Sequence, residues 1–395
     1  METVPREEIL ERISRFQTEL AANDLEGAFI LQNADLFYFT GTIQSAVLFV
    51  PSEGDALLMV QKNLKRAQLE SALSNVILVK NRNHIPQVLI DFGVNQLSTA
   101  GLEMDVLPAN LYIGFQKKFP KCRWADVSDI IRKLRMIKSA YEIEQIKKAT
   151  AILHTGYTEI KNIIHAGVTE LEIDGHLAMI ARREGHMGIM RMRGWNQEMT
   201  HAHVLAGDSG SVITFLDSPH GGNGNTPAMA QGAGFRRIRT NEPIGIGYGV
   251  AVNGYIADQF RTYVIGELSD TLKKAHACSL EIHLLLAREA KPGVSCAHLY
   301  NLAKQKAIKE GHGDFFMGYG EGQVQFIGHG IGLEIDEYPV ISSRFDGILE
   351  EGMVFALEPM FVLPKQGVVG LEDDYLVTSE GLKRLTLTEQ SLIKI

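Results

Sequence analysis

Apolar residues recur along the chain with two different spacings, which predict an α/β arrangement for its first third. Residues 7–24 show the three- to four-residue spacing of an amphipathic helix. Continuous apolar runs predict buried strands at 27–31, 45–50 and 56–60. Helical and strand patterns alternate to about residue 135, which indicates a separate α/β domain over residues 1–135. We place the boundary close to residue 136, just before a long helical pattern.

The remainder of the chain, residues 136–395, contains an internal repeat. Two helical stretches, 167–186 and 293–312, match in length, begin with Gly-Val-Thr or Gly-Val-Ser, and end with Glu-Gly-His. Their predicted N-caps and C-terminal stops are Thr169, Ser295, Gly185 and Gly311.

Each repeated helix is also associated with strand patterns. These patterns lie at 244–265, 325–341 and 353–377. The duplication predicts a pseudo-twofold α+β domain whose strands meet in the middle.

Composition excludes several classes of function. The 395 residues are 45% hydrophobic and 22% charged with a net charge of −8, so a basic stripe for nucleic acid is missing. No apolar run approaches the ~18–20 residues that span a bilayer. The N-terminus lacks the basic and apolar regions of a signal peptide, and three scattered cysteines do not predict a disulfide framework. We expect a cytoplasmic protein.

Two acidic residues lie in apolar strand patterns near the C-terminus. A hairpin whose turn is centred near Lys365 would set Glu358 directly across from Glu372. Side chains opposed in this way stand about 4.5–5.5 Å apart at Cβ, where like charges destabilise a sheet. The pair therefore needs a shared proton or a cation, unless both carboxylates lie in water on an edge hairpin.

A third acidic residue lies on a hairpin with a glycine-rich face. Asn253-Gly254 is a strong two-residue turn signal, and in its register Asp258 sits opposite Gly249, on a face that also carries Gly247 and Gly245. This face is either a groove that admits a ligand beside Asp258 or a surface on which another element packs closely.

A histidine completes a possible metal site. His329 lies in Gly-His-Gly-Ile-Gly (328–332), where a core or loop role is the alternative. Three acids and one imidazole suit one divalent ion of Mn, Fe, Co or Zn rather than a metal that selects thiolates.

With these motifs the chain resembles the creatinase, prolidase and aminopeptidase P family. The resemblance includes Ile137-Lys138-Ser139, Gly254-Tyr255 with Asp258, Arg261 and Thr262, the Gly-His-Gly motif, Glu358-Pro359 and Glu372-Asp373. It implies an α+β pita-bread catalytic domain, duplicated and pseudo-twofold, behind a smaller creatinase-type α/β N-terminal domain. It also implies a homodimer.

In metal-dependent members, two aspartates, a histidine and two glutamates bind two ions. The resemblance assigns the complete single site to Asp258, His329, Glu358 and Glu372. The other aspartate, expected eleven residues before Asp258, is Gly247 here. Two family histidines that hold substrate and assist proton transfer are replaced by Asp336 and, in a loosely aligned loop, Ala230. The resemblance thus implies one ion site retained and one lost.

Other residues are candidates for the missing roles. His201, His203 and His220 either replace the lost imidazoles or are solvent-exposed loop residues. Arg191 and Arg193 either clamp a substrate carboxylate or are surface ions, and we also assign Arg261 to substrate binding. The nearby methionines, Met187, Met190 and Met192, are expected to pack rather than to bind a soft metal.

These observations favour a metal-dependent hydrolase of an amide or related C–N bond, acting on a small peptide or amide-like metabolite. Glu358 is the expected general base, and His220 and Asp336 are further catalytic candidates. A metal-independent creatinase-like hydrolase using His220 or His203 is the alternative, followed by a non-catalytic binding module.

Overall fold

The computed structural model describes residues 2–199 and 202–395 and divides into two compact units. The first comprises Met1–Arg135 with Arg193–Gln197, and the second comprises Met136–Met192 with Glu198–Ile395. Each unit has its own sheet system, as described below.

The first unit is an α/β domain in which the predicted helix and three predicted strands are present. Its elements are α1 (Arg6–Ala22), β1 (Gly27–Ile30), α2 (Asn33–Thr40), β2 (Ala46–Pro51), β3 (Leu57–Val60), α3 (Leu64–Glu70), β4 (Asn75–Leu78), α4 (Ile85–Asp91), β5 (Thr99–Leu102), α5 (Ala109–Lys118), β6 (Arg123–Asp126) and α6 (Ser128–Met136). The six strands form one sheet in the order β4-β3-β2-β1-β5-β6.

Aromatic packing supports this sheet. The Phe29 ring lies 4.9 Å from the rings of both Phe49 and Phe115, centroid to centroid. Phe29 is fully buried, so its ring packs β1 and β2 against helix α5 in the core.

The second unit contains the repeat. Its elements are α7 (Ala140–Glu159), α8 (Glu170–Glu184), β7 (Ala202–Ala206), β8 (Ile244–Val252), β9 (Tyr255–Val264), α9 (Asp270–Glu289), α10 (Cys296–Lys309), β10 (Phe326–Ile331), β11 (Ile335–Ser342), β12 (Val354–Leu357), β13 (Met360–Leu363), β14 (Gly367–Gly370), β15 (Asp373–Thr378), β16 (Gly381–Arg384) and β17 (Ile393–Lys394). The strands form sheets ordered β11-β10-β12-β15-β16, β17-β9-β8-β7 and β13-β14.

Both repeated helices begin at the predicted caps. The Thr169 side chain accepts a hydrogen bond from the Glu172 N–H in a capping box, and the Ser295 side chain accepts one from the His298 N–H. The chain leaves both helices through left-handed glycines, with φ of 110° at Gly185 and 78° at Gly311. The superposition of the two halves, strands included, stays a prediction.

The two large sheets of this unit meet at the middle of β9. Phe260 and Glu372 exchange backbone hydrogen bonds, with N···O distances of 3.4 and 3.1 Å. This junction places Glu372, the residue before β15, beside β9, the strand that carries Asp258. It therefore brings the two acidic residues together.

In the part of the chain that the structure describes, no helix combines the length and the apolar character that crossing a bilayer requires.

Candidate active site

The two glutamates lie at the positions that the hairpin predicts. Met360 pairs with Gly370 in the β13–β14 ladder, and Leu357 pairs with Asp373 in the β12–β15 ladder. The two ladders share the same register, so Glu358 and Glu372, which lie between them, stand across from each other. Both side chains are buried, at 6% and 5% relative exposure, so they are not water-facing carboxylates on an edge hairpin.

His329 lies on β10 between two glycines that the neighbouring strands require. A Cβ on Gly328 would overlap the Ala356 carbonyl oxygen of β12, and one on Gly330 would overlap the Tyr338 carbonyl oxygen of β11. The Gly-His-Gly pattern therefore lets both neighbours approach closely while the imidazole alone projects from this part of the strand.

The imidazole faces the glutamates. Its Nε2 lies 3.8 Å from Glu358 Oε1 and 3.8 Å from Glu372 Oε1. Asp258, His329 and Glu372 each present a ligand atom, and these atoms lie within 4.8 Å of one another. Glu358 adjoins this trio through His329.

The charges of this cluster are strongly coupled. Burial, and then the charge of Glu372, raise the pKa of Asp258 and the pKa of Glu358 well above their ordinary values. Burial disfavours a charged His329, but Asp336, Glu372 and Glu358 outweigh it and raise the pKa of His329 well above its ordinary value. Without a cation, these surroundings favour the protonated forms of Asp258 and Glu358.

A divalent ion fits this donor set. Two ligands about 2.0–2.3 Å from one ion can lie roughly 4 Å apart, as the His329 and glutamate atoms do at 3.8 Å. Carboxylate oxygens and one imidazole are ligands for Mn, Fe, Co or Zn. A cation would replace the protons that these carboxyl groups otherwise hold.

Asp336 lies behind the imidazole. Its Oδ1 is 3.5 Å from His329 Nδ1, on the ring side opposite the glutamates, and its side chain is 46% exposed. A carboxylate at this position orients a ligating histidine and favours the tautomer with a free Nε2. This geometry supports a positioning role for Asp336 rather than direct attack on a substrate.

The glycine face of β8 is closed, so the groove hypothesis is wrong. Gly249 pairs with Asp258, as the hairpin register requires, and the same register sets Gly247 opposite Phe260. A Cβ on Gly245 would overlap the Phe260 ring, and one on Gly249 would overlap Met190 Sδ. At Gly247 a Cβ would lie 3.2 Å from Phe260 Cδ2. The face is packed from within the unit.

The methionines behave as packing residues, as expected. Met187, Met190 and Met192 pack with Met199 against a buried cluster that contains Ala251, Ile256, Ile331, Ile335 and Ala356. A soft-metal site is therefore not needed to explain them.

Two of the loop histidines lie beside Gly247. His203 is on β7 opposite Gly247, and its Nδ1 is 3.3 Å from Nδ1 of His220. Burial lowers the pKa of His203 to about 4, and burial together with His203 lowers the pKa of His220 to about 3. Neither is a solvated surface histidine. His201 lies outside the described residues.

The arginine expectations need correction. Arg261 is fully buried; it donates to Asp373 Oδ1 at 2.6 Å and to the backbone carbonyls of Phe260 and Glu372 at 2.8 Å. It thus supports the β9–β15 junction, and a substrate role is wrong. Arg193 is also engaged. In the first unit it donates to Asp35 at 2.8 Å and to both oxygens of Asp105, with the side chain only 7% exposed.

Arg191 is half-buried, and its carbonyl accepts a hydrogen bond from the Ile335 N–H. Its assignment to substrate binding stays a prediction.

Sequence reasoning missed Asp374. This side chain is fully buried and its Oδ2 accepts a hydrogen bond from the Asp258 N–H at 3.0 Å. Burial, and then the charge of Asp258, raise its pKa well above the ordinary value. The signal was available, because strand alternation places residue 374 on the same face as Glu372.

A duplicated α+β domain with a buried carboxylate–imidazole centre at the junction of its sheets defines a class of metal-dependent hydrolases with the pita-bread fold. The sequence profile of metallopeptidase family M24 matches residues 144–379, and that of the creatinase/prolidase N-terminal domain matches residues 12–137. The chain belongs to metallopeptidase family M24.

Relatives and solved structures agree with this assignment. The Xaa-Pro dipeptidase of Pyrococcus furiosus is 29% identical over 388 residues, covering 98% of this chain and 99% of the relative. The prolidase structure from Pyrococcus horikoshii OT3 has a TM-score of 0.81 at 26% identity, covering 97% of this chain and 100% of that chain. An Xaa-Pro dipeptidase structure from Bacillus anthracis, at 24% identity and a TM-score of 0.83, covers 98% of this chain and 100% of that chain and shows the same fold.

These findings confirm the predicted family, the α+β pita-bread fold with its creatinase-type N-terminal domain, and the hydrolase class. The family also implies a divalent metal ion, which agrees with the donor set at Asp258, His329 and Glu372.

Proposed function

We propose that this chain is a hydrolase that holds one divalent ion and cleaves an amide or related C–N bond of a small peptide or amide-like metabolite. The observation that carries the proposal is the contrast between two neighbouring places. One is the acid cluster around His329, whose atoms lie 3.8 Å from two glutamates. The other is Gly247, which has no side chain to offer and where an added Cβ would lie 3.2 Å from Phe260 Cδ2.

Asp258, His329, Glu358 and Glu372 would hold the ion. When bound, it would polarise the scissile carbonyl and promote ionisation of a water molecule. Asp336 would keep His329 Nε2 directed at the centre through its 3.5 Å approach to Nδ1. Buried Glu372 would be the ligand across from Glu358.

Glu358 would act as the general base. Its carboxyl group lies at the centre, with Oε1 3.8 Å from His329 Nε2, so it would be within reach of a water molecule held there. It would take a proton from the attacking water and return it to the leaving nitrogen.

The proposal is tested by measuring metal content and hydrolysis together. After dialysis against Mn²⁺ and buffer exchange, elemental analysis is expected to find close to one ion per chain. Glu358→Gln is expected to abolish hydrolysis of a panel of dipeptides and to weaken the ion, whereas the exposed control Glu351→Gln is expected to retain both. Two ions per wild-type chain with rapid Xaa-Pro cleavage would contradict the single-ion reading.

The close pair His203–His220, whose Nδ1 atoms lie 3.3 Å apart and whose pKa values are lowered by burial, favours a second candidate, a metal-independent hydrolase in which an imidazole is the base. Chelation separates the two functions, because metal-free protein retaining full turnover would support the imidazole route alone.

A further inference from the structure

Glu372 lies where the chain passes from one sheet to another. Gly370 is the last ladder residue of β14, and Asp373 is the first ladder residue of β15. Leu371 and Glu372 therefore connect two strands that belong to different sheets. Because the backbone directs the carboxylate, the groups that hold the peptide groups of this crossover determine where Glu372 points.

Two side chains of α9 hold the peptide groups of Leu371, which is fully buried. The Leu371 N–H donates to Ser279 Oγ at 3.0 Å, and the Leu371 carbonyl oxygen lies 3.0 Å from His283 Nε2. Ser279 and His283 have the i, i+4 spacing that places two side chains on one face of a helix. Since buried peptide groups need hydrogen-bond partners, α9 supplies at Leu371 what a neighbouring strand supplies within a sheet.

The other ring nitrogen of His283 leads to the residue that follows Glu372. Nδ1 lies 3.1 Å from the Tyr375 hydroxyl oxygen. Gln390 Nε2 donates to that oxygen at 3.1 Å and to Asp373 Oδ2 at 2.8 Å. The residues on both sides of the glutamate are therefore joined by a chain of hydrogen bonds that passes through the imidazole.

The donors and acceptors of this chain match in one direction. A carbonyl oxygen only accepts, so His283 Nε2 carries a hydrogen. Burial lowers the pKa of His283 to about 4, so the ring is neutral near neutral pH and Nδ1 is an acceptor. The Tyr375 O–H then donates to Nδ1 while its oxygen accepts from Gln390. Each hydrogen bond of the chain has one donor and one acceptor, which holds the imidazole in place.

We propose that His283 is a positioning residue for the ion ligand Glu372, which it holds at the centre through the Leu371 carbonyl and through Tyr375. This inference rests on the ion site of the proposed function and adds a residue that does not touch the ion. Side chains that orient metal ligands in this way contribute about 10- to 100-fold to metal affinity. We therefore expect His283→Leu to raise the dissociation constant for Mn²⁺ by about 10- to 100-fold.

Two polar variants separate the roles of the two ring nitrogens. His283→Gln places an amide near the former Nε2 and still donates to the Leu371 carbonyl, so it is expected to restore most of the affinity. His283→Asn places its amide near the former Nδ1, within reach of Tyr375 but short of Leu371, so it is expected to bind Mn²⁺ as weakly as His283→Leu. An imidazole that only fills space would give the same result in both variants.

His276 supplies the matched control. It is also buried on α9, and among the described residues its Nε2 has no hydrogen-bond partner. His276→Leu removes an imidazole from the same helix without removing a bond to Leu371, so it is expected to bind Mn²⁺ as the wild type does. Calorimetric titration of the whole chain, freed of metal by chelation, gives the dissociation constants, and urea unfolding gives the stability of each variant.

An unchanged dissociation constant in folded His283→Leu would overturn the proposal. If that variant does not fold, Tyr375→Phe decides, because it removes the hydroxyl group and keeps the ring. Tyr375→Phe is expected to weaken Mn²⁺ binding, and the same affinity as wild type would count against His283 as a positioning residue.

Turnover separates this inference from the proposed function. At saturating Mn²⁺, His283→Leu is expected to recover the hydrolysis rate of the wild type, because His283 acts on the binding of the ion. If wild-type protein binds Mn²⁺ but hydrolyses no substrate, the proposed function fails, and the titrations still decide the role of His283. Wild-type protein that binds no Mn²⁺ would refute both.

Discussion

Restoring a carboxylate at residue 247 tests why the chain is expected to hold a single ion. Gly247→Asp places a Cβ 3.2 Å from Phe260 Cδ2, which is tight, and 3.7 Å from His203 Cβ, which is an ordinary contact. The Phe260 ring must therefore move by a few tenths of an ångström before the new carboxylate finds room. Overpacking of this kind costs about 1–3 kcal/mol.

The single and double variants are expected to differ. Gly247→Asp alone is expected to remain near one ion per chain and to unfold at lower denaturant concentration. Adding Phe260→Val removes the ring that closes the face, at a cost of up to about 3–5 kcal/mol for the lost aromatic packing. The double variant is expected to approach two ions per chain. A second ion present at 100 times its dissociation constant would return about 2.7 kcal/mol.

Elemental analysis after dialysis and calorimetric titration with Mn²⁺ give the stoichiometry, and urea unfolding gives the stability. The matched control is Gly245→Asp with Phe260→Val, which removes the same ring but places the carboxylate two residues further along the face. It is expected to stay near one ion. A folded Gly247→Asp/Phe260→Val protein that binds only one ion would refute the explanation based on Gly247 and Phe260.

Three further outcomes are expected. Mn²⁺ at 100 times its dissociation constant should stabilise the fold by roughly 2.7 kcal/mol. At about 2–4 °C per kcal/mol, the thermal midpoint should then rise by about 5–10 °C. The raised pKa values of Asp258 and Glu358 mean that the metal-free protein is most stable in acid and loses stability as the pH rises through those values. The rise in thermal midpoint that Mn²⁺ causes should therefore increase with pH. A rise that is constant or decreases with pH would contradict the assignment of these carboxyl groups to the ion site. Arg261→Leu removes the closest cation from the buried carboxylate of Asp373, whose other cation, Arg384, is 3.9 Å away, and should cost about 3–5 kcal/mol in urea unfolding. The kcat per folded molecule is expected to stay unchanged. Thr169→Ala removes a capping box and should cost about 1 kcal/mol, with Thr155→Ala on a solvent-exposed helix position as the control.

Local patterns predicted much of the fold because they depend on neighbours in sequence. The Asn253-Gly254 turn and the turn near Lys365 determine register, and register determines that Asp258 opposes Gly249 and that Glu358 opposes Glu372. Strand alternation would also have placed Asp374 on the face of Glu372. The same register places Phe260 opposite Gly247, so the closed face was readable from the hairpin once the ring was considered.

The arginines could not be assigned in this way. Whether a guanidinium meets a substrate or a buried carboxylate depends on residues far away in sequence. Arg261 is 112 residues from its partner Asp373, and Arg193 is 158 residues from Asp35. Neither pairing leaves a periodic signal, and an isolated Arg-Met-Arg segment is compatible with both outcomes.

The change at residue 247 involves more than one lost ligand. A glycine alone would leave room for a water molecule or a displaced ion beside Asp258. Here Phe260 lies against Gly245 and Gly247, and His220 packs on the same ring at 5.1 Å. The Phe260 ring and the imidazoles of His203 and His220 disfavour a cation, because the cation would lose hydration without gaining an anionic ligand.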